Sequence, residues 1–257
     1  STLSKNAKAT IRDSDLEVIS TPYVLLGLVV IIFFLVILLV RMPENKKKEA
    51  RVAVIPAIKR LFSNNKFVGG VITQAFYVGA QIMCWTYLYQ YAESIGINNK
   101  SAVNYGIAAL LVFLIGRWLG TFLLRYIGSG KLLMVFAFGA ILTCLLCIFS
   151  QGLIGLYALV SVSFFMSIMF PTIYGIALEG QGNDAKFGSS FLVMAIVGGA
   201  LMPTLQGMVL DIGGSGYTDT TILGVPEINF SFFLPVLCFI VVGIYGYYIF
   251  KKTKHEN

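Results

Sequence analysis

Residues 131–179 read KLLMVFAFGAILTCLLCIFSQGLIGLYALVSVSFFMSIMFPTIYGIALE, with no charge between Lys131 and Glu179. A helix needs about 20 predominantly apolar residues to cross the hydrocarbon core of a bilayer. This run is too long for one crossing, and Ser150-Gln151-Gly152 interrupts it with turn-forming residues. It therefore reads as two transmembrane helices back to back. Pro171 sits inside the second, where it bends a helix and frees a backbone carbonyl.

Working outward, five more apolar segments appear, at about 22–40, 67–91, 103–124, 187–209 and 230–250, making seven in all. The whole chain agrees with this. Hydrophobic residues make up 57% of 257, charged residues 12%, and mean hydropathy is +0.83. A soluble domain carries about 25% charged residues. The net charge of +7 is gathered at segment ends, where it meets headgroups and sets orientation, so it does not indicate nucleic acid.

The Lys and Arg residues alternate by side. One side holds 4 and the other 14, with Arg117 left inside a span. The positive-inside rule places the richer side in the cytoplasm and Ser1 outside. The expected organisation is an outer loop remnant at 1–20, a transmembrane helix at 21–40, a basic cytoplasmic connection at 41–66, a six-helix bundle at 67–250 and a cytoplasmic tail at 251–257. Residues 1–20 mix both charge signs and lack the apolar core of a signal peptide, so they read as a cut loop. Residues 52–62 within the basic connection are amphipathic and suit the membrane surface.

Polar groups inside a bilayer usually face a bundle interior or a water-filled cavity. Gln74, Tyr77, Gln81 and Trp85 recur every three or four residues and so share one helix face. Amides hydrogen-bond hydroxyls and aromatic rings stack on the C–H faces of a sugar, so a cavity wall for a monosaccharide is one reading. Hydrogen-bonded contact between helices is the other. Arg117 has no acidic residue on a neighbouring span, and a buried unpaired Arg is costly. Either carbonyls satisfy it or a carboxylate on other polypeptide does, and its separation from Arg125 argues against simple snorkelling to the cytoplasmic interface. A coupling or gating role is expected.

Other chemistries find no footing. Cys84, Cys144, Cys147 and Cys238 all lie in apolar runs, so Cys144-x-x-Cys147 reads as packing despite its redox spacing. Gly213-Gly214-Ser215-Gly216 lacks the strand and Lys-Ser/Thr of a nucleotide cradle. His255 is the single histidine, which leaves no metal cluster and no nucleophile–His pair. No metal, cofactor or enzymatic activity is expected.

The motifs carry a resemblance. Gln74-x-x-Tyr77-Val78-Gly79-Ala80-Gln81, Cys84-Trp85, Asn104-Tyr105, Ile115-Gly116-Arg117 with Gly120-Thr121, and Lys131 come first. Phe165-Met166-Ser167-Ile168, Pro171-Thr172-Ile173 and Gly182-x-Asp184-x-Lys186-x-Gly188-Ser189-Ser190-Phe191 follow, with Val193-Met194 and Gly198-Gly199. Together they resemble the C-terminal half of the major facilitator superfamily, and within it the fucose:proton symporter (L-fucose permease-like) family. The resemblance implies an all-α membrane fold: a six-helix bundle of two three-helix inverted repeats, preceded by the sixth helix of a longer parent. It implies cavity positions at Phe113 and Phe170; Tyr174, on the same segment as Pro171, is a further cavity candidate. It places the titrating carboxylates in an N-terminal bundle outside this chain, where Arg117 would find its partner.

The expected function is import of L-fucose with protons by alternating access, in a bacterial inner membrane and as a monomer. The coupling ion is a proton. Within the same family, glucose, galactose or N-acetylglucosamine are alternative cargoes. A seven-helix receptor is a remote reading, opposed by the long basic loop after the first span. A membrane enzyme lacks a catalytic pair.

Overall fold

The computed structural model describes residues 5–39, 53–212 and 221–256. It divides into two units, residues 1–50 and 51–257. The first unit contains one helix, α1 (Lys5–Leu39), whose apolar part is Tyr23–Leu39. The loop expected over 1–20 is thus helical from Lys5 onward. Residues 5–20 contain neither Gly nor Pro, so nothing in them stops a helix continuing into the apolar run. The basic stretch 41–51 lies outside the described residues.

The second unit begins with α2 (Val54–Phe62) and continues with α3 (Asn65–Ser94), α4 (Asn99–Leu123) and α5 (Ser129–Phe149). Then come α6 (Leu153–Met166), α7 (Met169–Leu178), α8 (Ala185–Met194) and α9 (Gly198–Leu210). A two-stranded ribbon, β1 (Thr221–Ile222) and β2 (Val225–Pro226), leads into α10 (Glu227–Ser231) and α11 (Phe233–Glu256). Among the described residues, six helical stretches are long and apolar enough to cross a membrane. They are Asn65–Ser94, Asn99–Leu123, Ser129–Phe149, Leu153–Leu178, Gly182–Leu210 and Glu227–Lys254. The apolar part of α1 is shorter.

Local sequence explains the boundaries. Asn64 and Asn98 cap α3 and α4 through their side-chain oxygens, accepting from the N–H groups of Lys66 and Ser101 at 3.0 and 2.9 Å. The uncharged run turns back at Ser150-Gln151-Gly152, where Gly152 has φ +69°. That turn is gripped from two sides. Asn229 donates from Nδ2 to the Cys147 and Ser150 carbonyls at 2.8 and 3.2 Å, satisfying groups orphaned at the end of α5. The Tyr91 hydroxyl lies 3.2 Å from the Ser150 carbonyl and 3.1 Å from that of Gly152.

Helix α3 is the hub, touching α4, α6, α7, α8, α9 and α11. The most extensive helix pair is α5 with α11. Its backbones meet at Gly130 and Gly246, where a Cβ would lie 2.7 Å from the Phe250 nitrogen and 2.8 Å from the Met134 nitrogen. Gly116 brings α4 onto α6 in the same way, since a Cβ there would sit 2.6 Å from the Phe164 carbonyl oxygen. The four cysteines are buried and unbridged.

Candidate functional site

Pro171 does what its chemistry requires. It cannot donate to the Ser167 carbonyl, and the span is broken between α6 and α7 at Ser167–Ile168. Side chains add to the bonding there. The Tyr77 hydroxyl donates to the Met166 carbonyl at 2.9 Å, and Thr172 Oγ1 donates to the Ile168 carbonyl at 2.7 Å. Ser167 Oγ donates to the Phe164 carbonyl at 2.7 Å.

The stripe on α3 divides into two depths. Gln74 and Tyr77 are fully buried within this bundle, while Gln81 and Trp85 are half-buried. Neither amide atom of Gln74 has a hydrogen-bond partner among the described residues. Both Gln74 and Tyr77 are covered by the bundle's own helices, and the Tyr77 hydroxyl is committed to the break in the fifth span.

The half-exposed residues form two aromatic patches. In the first, Trp85 Nε1 donates to Ser163 Oγ at 3.2 Å, and its indole meets Phe113 edge-on at 5.3 Å between centroids. The Arg117 guanidinium lies 5.9 Å from the Phe113 ring centroid. In the second, Phe170 contacts Tyr77 at 6.4 Å and stacks with Tyr174 at 6.3 Å, the rings 13° apart. Tyr77 and Trp85 are eight residues apart, about 12 Å along α3 at the helical rise. Gln81 lies between them, four residues from each. The result is a partly open wall with one amide between two aromatic clusters, which suits a ring with polar edges and C–H faces.

Arg117 is exposed and borders a cleft of about 430 Å³ with Trp118, Thr121, Phe122 and Arg125. It makes no ion pair among the described residues. No group of three or more metal-ligating side chains occurs among them either.

Sequence reasoning passed over Ser163, a fully buried hydroxyl that fixes the indole of Trp85. One signal existed: Ser161 and Ser163 are polar in an otherwise apolar stretch, with Ser163 on the inward side. It also missed two ion pairs. Arg60 binds Asp184 through two contacts of 2.7 Å, and Lys66 binds Glu179 at 2.6 Å. The first holds α2 against the turn before α8. The hydrogen bond to Asp184 raises the Arg60 pKa further above its ordinary value.

The sequence profile of the Major Facilitator Superfamily matches residues 17–186. The chain is 46% identical over 254 residues to the L-fucose-proton symporter of Haemophilus influenzae, covering 98% of this chain and 58% of that protein. It is 29% identical over 252 residues to a putative glucose/galactose transporter of Helicobacter pylori, covering 98% of this chain and 59% of that one. Its structure superposes on the crystal structure of FucP, a Major Facilitator Superfamily transporter in the outward conformation. The TM-score is 0.78 at 31% identity, over 96% of this chain and 58% of that one. The chain thus spans just under three fifths of the length of each of these proteins.

Proposed function

Because the chain belongs to the Major Facilitator Superfamily, a family of multi-pass transporters rather than enzymes, we propose that it forms the second bundle of a proton-coupled L-fucose importer, together with the helix before that bundle. The observation that carries this reading is the 46% identity to an L-fucose-proton symporter, sustained over almost the whole chain. In this account Gln81, Trp85, Phe113, Phe170 and Tyr174 line the sugar cavity. Tyr77 holds the broken span beneath it, and Gln74 packs below the surface.

Aromatic faces and one amide bind a sugar without titrating, so this wall supplies no proton carrier. The carboxylates that do so lie on a preceding bundle of the same polypeptide, by the family's two-bundle pattern. Arg117 faces that bundle and answers one of its carboxylates, which lets protonation bias the rocking of one bundle against the other. The charge asymmetry supports a cytoplasmic location for the Lys-rich ends, with the spans in a bacterial inner membrane.

A glucose or galactose transporter is the second reading, supported by the likeness to the Helicobacter pylori protein. Uptake of labelled L-fucose by the full-length protein, in cells lacking their own hexose carriers, separates the two. Inhibition by unlabelled L-fucose but not by D-glucose, D-galactose or N-acetylglucosamine supports the first. Saturable uptake of D-glucose or D-galactose without L-fucose uptake replaces it with the second.

A further inference from the structure

The second unit carries a basic cavity unconnected with the sugar wall. It has a volume of about 710 Å³ and lies between α2, the start of α3 and the end of α11. Lys59, Arg60, Lys66 and Lys252 line it together with Tyr248, and no carboxylate among the described residues does. Two of the four cations are committed elsewhere, Arg60 to Asp184 and Lys66 to Glu179. Lys59 and Lys252 make no ion pair among the described residues. Among the described residues, two ammonium groups therefore border the cavity without a counter-charge.

The walls are fixed. The Tyr245 hydroxyl donates to the Lys66 carbonyl at 2.9 Å, tying the first turn of α3 to α11. Ala57 and Leu61 bury one face of α2, and the bidentate Arg60–Asp184 pair anchors it. The cavity also sits at a membrane boundary, because one span starts at Asn65 and another ends at Lys254. Beside the cations, α2 exposes Val54, Ile55 and Phe62, at 52%, 81% and 51%. Ile55 and Phe62 adjoin Pro56 and Ser63, which line the cavity.

Uncompensated cations next to exposed apolar side chains, at the end of two spans, fit a ligand with a negative head and apolar tails. We propose that this cavity binds the phosphodiester headgroup of an anionic phospholipid, with Lys59 and Lys252 on the phosphate and the acyl chains against α2. A basic pocket between span ends is a recognised setting for such headgroups. A basic amphipathic helix lies naturally in the same interface. A soluble phosphate ester shares the head chemistry but leaves the apolar face of α2 uncovered.

The test is native mass spectrometry of the full-length protein in mild detergent, titrated with phosphatidylglycerol and with phosphatidylcholine of identical acyl chains. Phosphatidylglycerol is expected to be retained selectively. K59Q/K252Q is expected to weaken its binding about 30-fold, since each basic residue near an anionic surface contributes about fivefold. K131Q/K254Q, which removes cations bordering a different cavity at the end of α11, is expected to stay within about twofold. Should K59Q/K252Q unfold at lower temperature, K59R/K252R keeps the charge and is expected to keep the lipid. Equal retention of the two lipids, an unchanged K59Q/K252Q, or an equal loss in K131Q/K254Q would overturn the proposal. Displacement of the lipid by sn-glycerol 3-phosphate would overturn it in favour of a soluble occupant.

Discussion

The hydroxyl of Tyr77 on α3 donates to the carbonyl of Met166, the last residue of α6, at 2.9 Å, where the fifth span of the bundle breaks. A proline inside a membrane segment frees carbonyl groups that lipid cannot satisfy. Here a buried phenol from the hub helix supplies a substitute bond, while Thr172 Oγ1 adds a second donor to the Ile168 carbonyl, which the Thr172 N–H already reaches at 3.1 Å. The two helices that begin the inverted repeats are thereby joined below the proposed sugar wall.

Tyr77→Phe removes that donor and leaves a buried carbonyl without it. An unsatisfied buried acceptor costs about 1–3 kcal/mol. The unfolding temperature of the full-length protein in detergent is expected to fall, and the maximal uptake rate to fall with little change in half-saturating sugar concentration. An unchanged unfolding temperature would show that the bond contributes nothing.

Trp85→Ala is expected to weaken sugar binding about tenfold, the loss of about 1.4 kcal/mol of ring stacking and burial. Trp85→Phe keeps a ring and is expected to lose less. Ser163→Ala leaves the indole N–H without its partner at 3.2 Å and is expected to act in the same direction, more weakly. Equilibrium binding of the sugar to purified protein measures all three. Equal affinity in Trp85→Ala and the parent would return that part of the stripe to packing.

Gly116→Leu is expected to abolish stable folding, because the added Cβ alone would lie 2.6 Å from the Phe164 carbonyl oxygen. Overpacking of this kind costs about 1–3 kcal/mol or more. The yield of monodisperse protein on size-exclusion chromatography reads the effect. Gly128→Leu, where a Cβ meets nothing within 4 Å, is the matched control and is expected to fold.

The Arg60–Asp184 pair is expected to act on α2 rather than on the whole bundle. Arg60 is largely exposed, so solvent screening keeps the pair weak. Asp184→Asn is expected to speed hydrogen exchange in residues 54–62, with α3 and α11 unchanged. Adding Arg60→Ala to it should change little more, because the two groups act as a unit. Independent effects of the two substitutions would separate them.

Apolarity is a one-dimensional signal, which is why the spans were legible. The turn at Ser150-Gln151-Gly152 and the break ahead of Pro171 both fall where the sequence places them. The face shared by Gln74, Tyr77, Gln81 and Trp85 was legible too, because helical periodicity fixes it. Periodicity does not say which neighbour covers a face, so the burial of Gln74 and Tyr77 was not legible. Long-range partners were equally hidden: Asn229 caps a helix that ends 80 residues earlier, and Arg60 finds Asp184 across 124 positions. The helix over residues 5–20 was missed because mixed charge reads as loop when the apolar signal alone is followed.

The central claim is proton-coupled sugar import by the parent of this bundle. Its most direct measurement is the pH of a lightly buffered suspension of de-energised cells expressing the full-length protein, after addition of L-fucose. Alkalinisation of the medium with L-fucose, absent with D-glucose, D-galactose and N-acetylglucosamine and abolished by a protonophore, is the predicted result. Sugar accumulation with no movement of protons would contradict it.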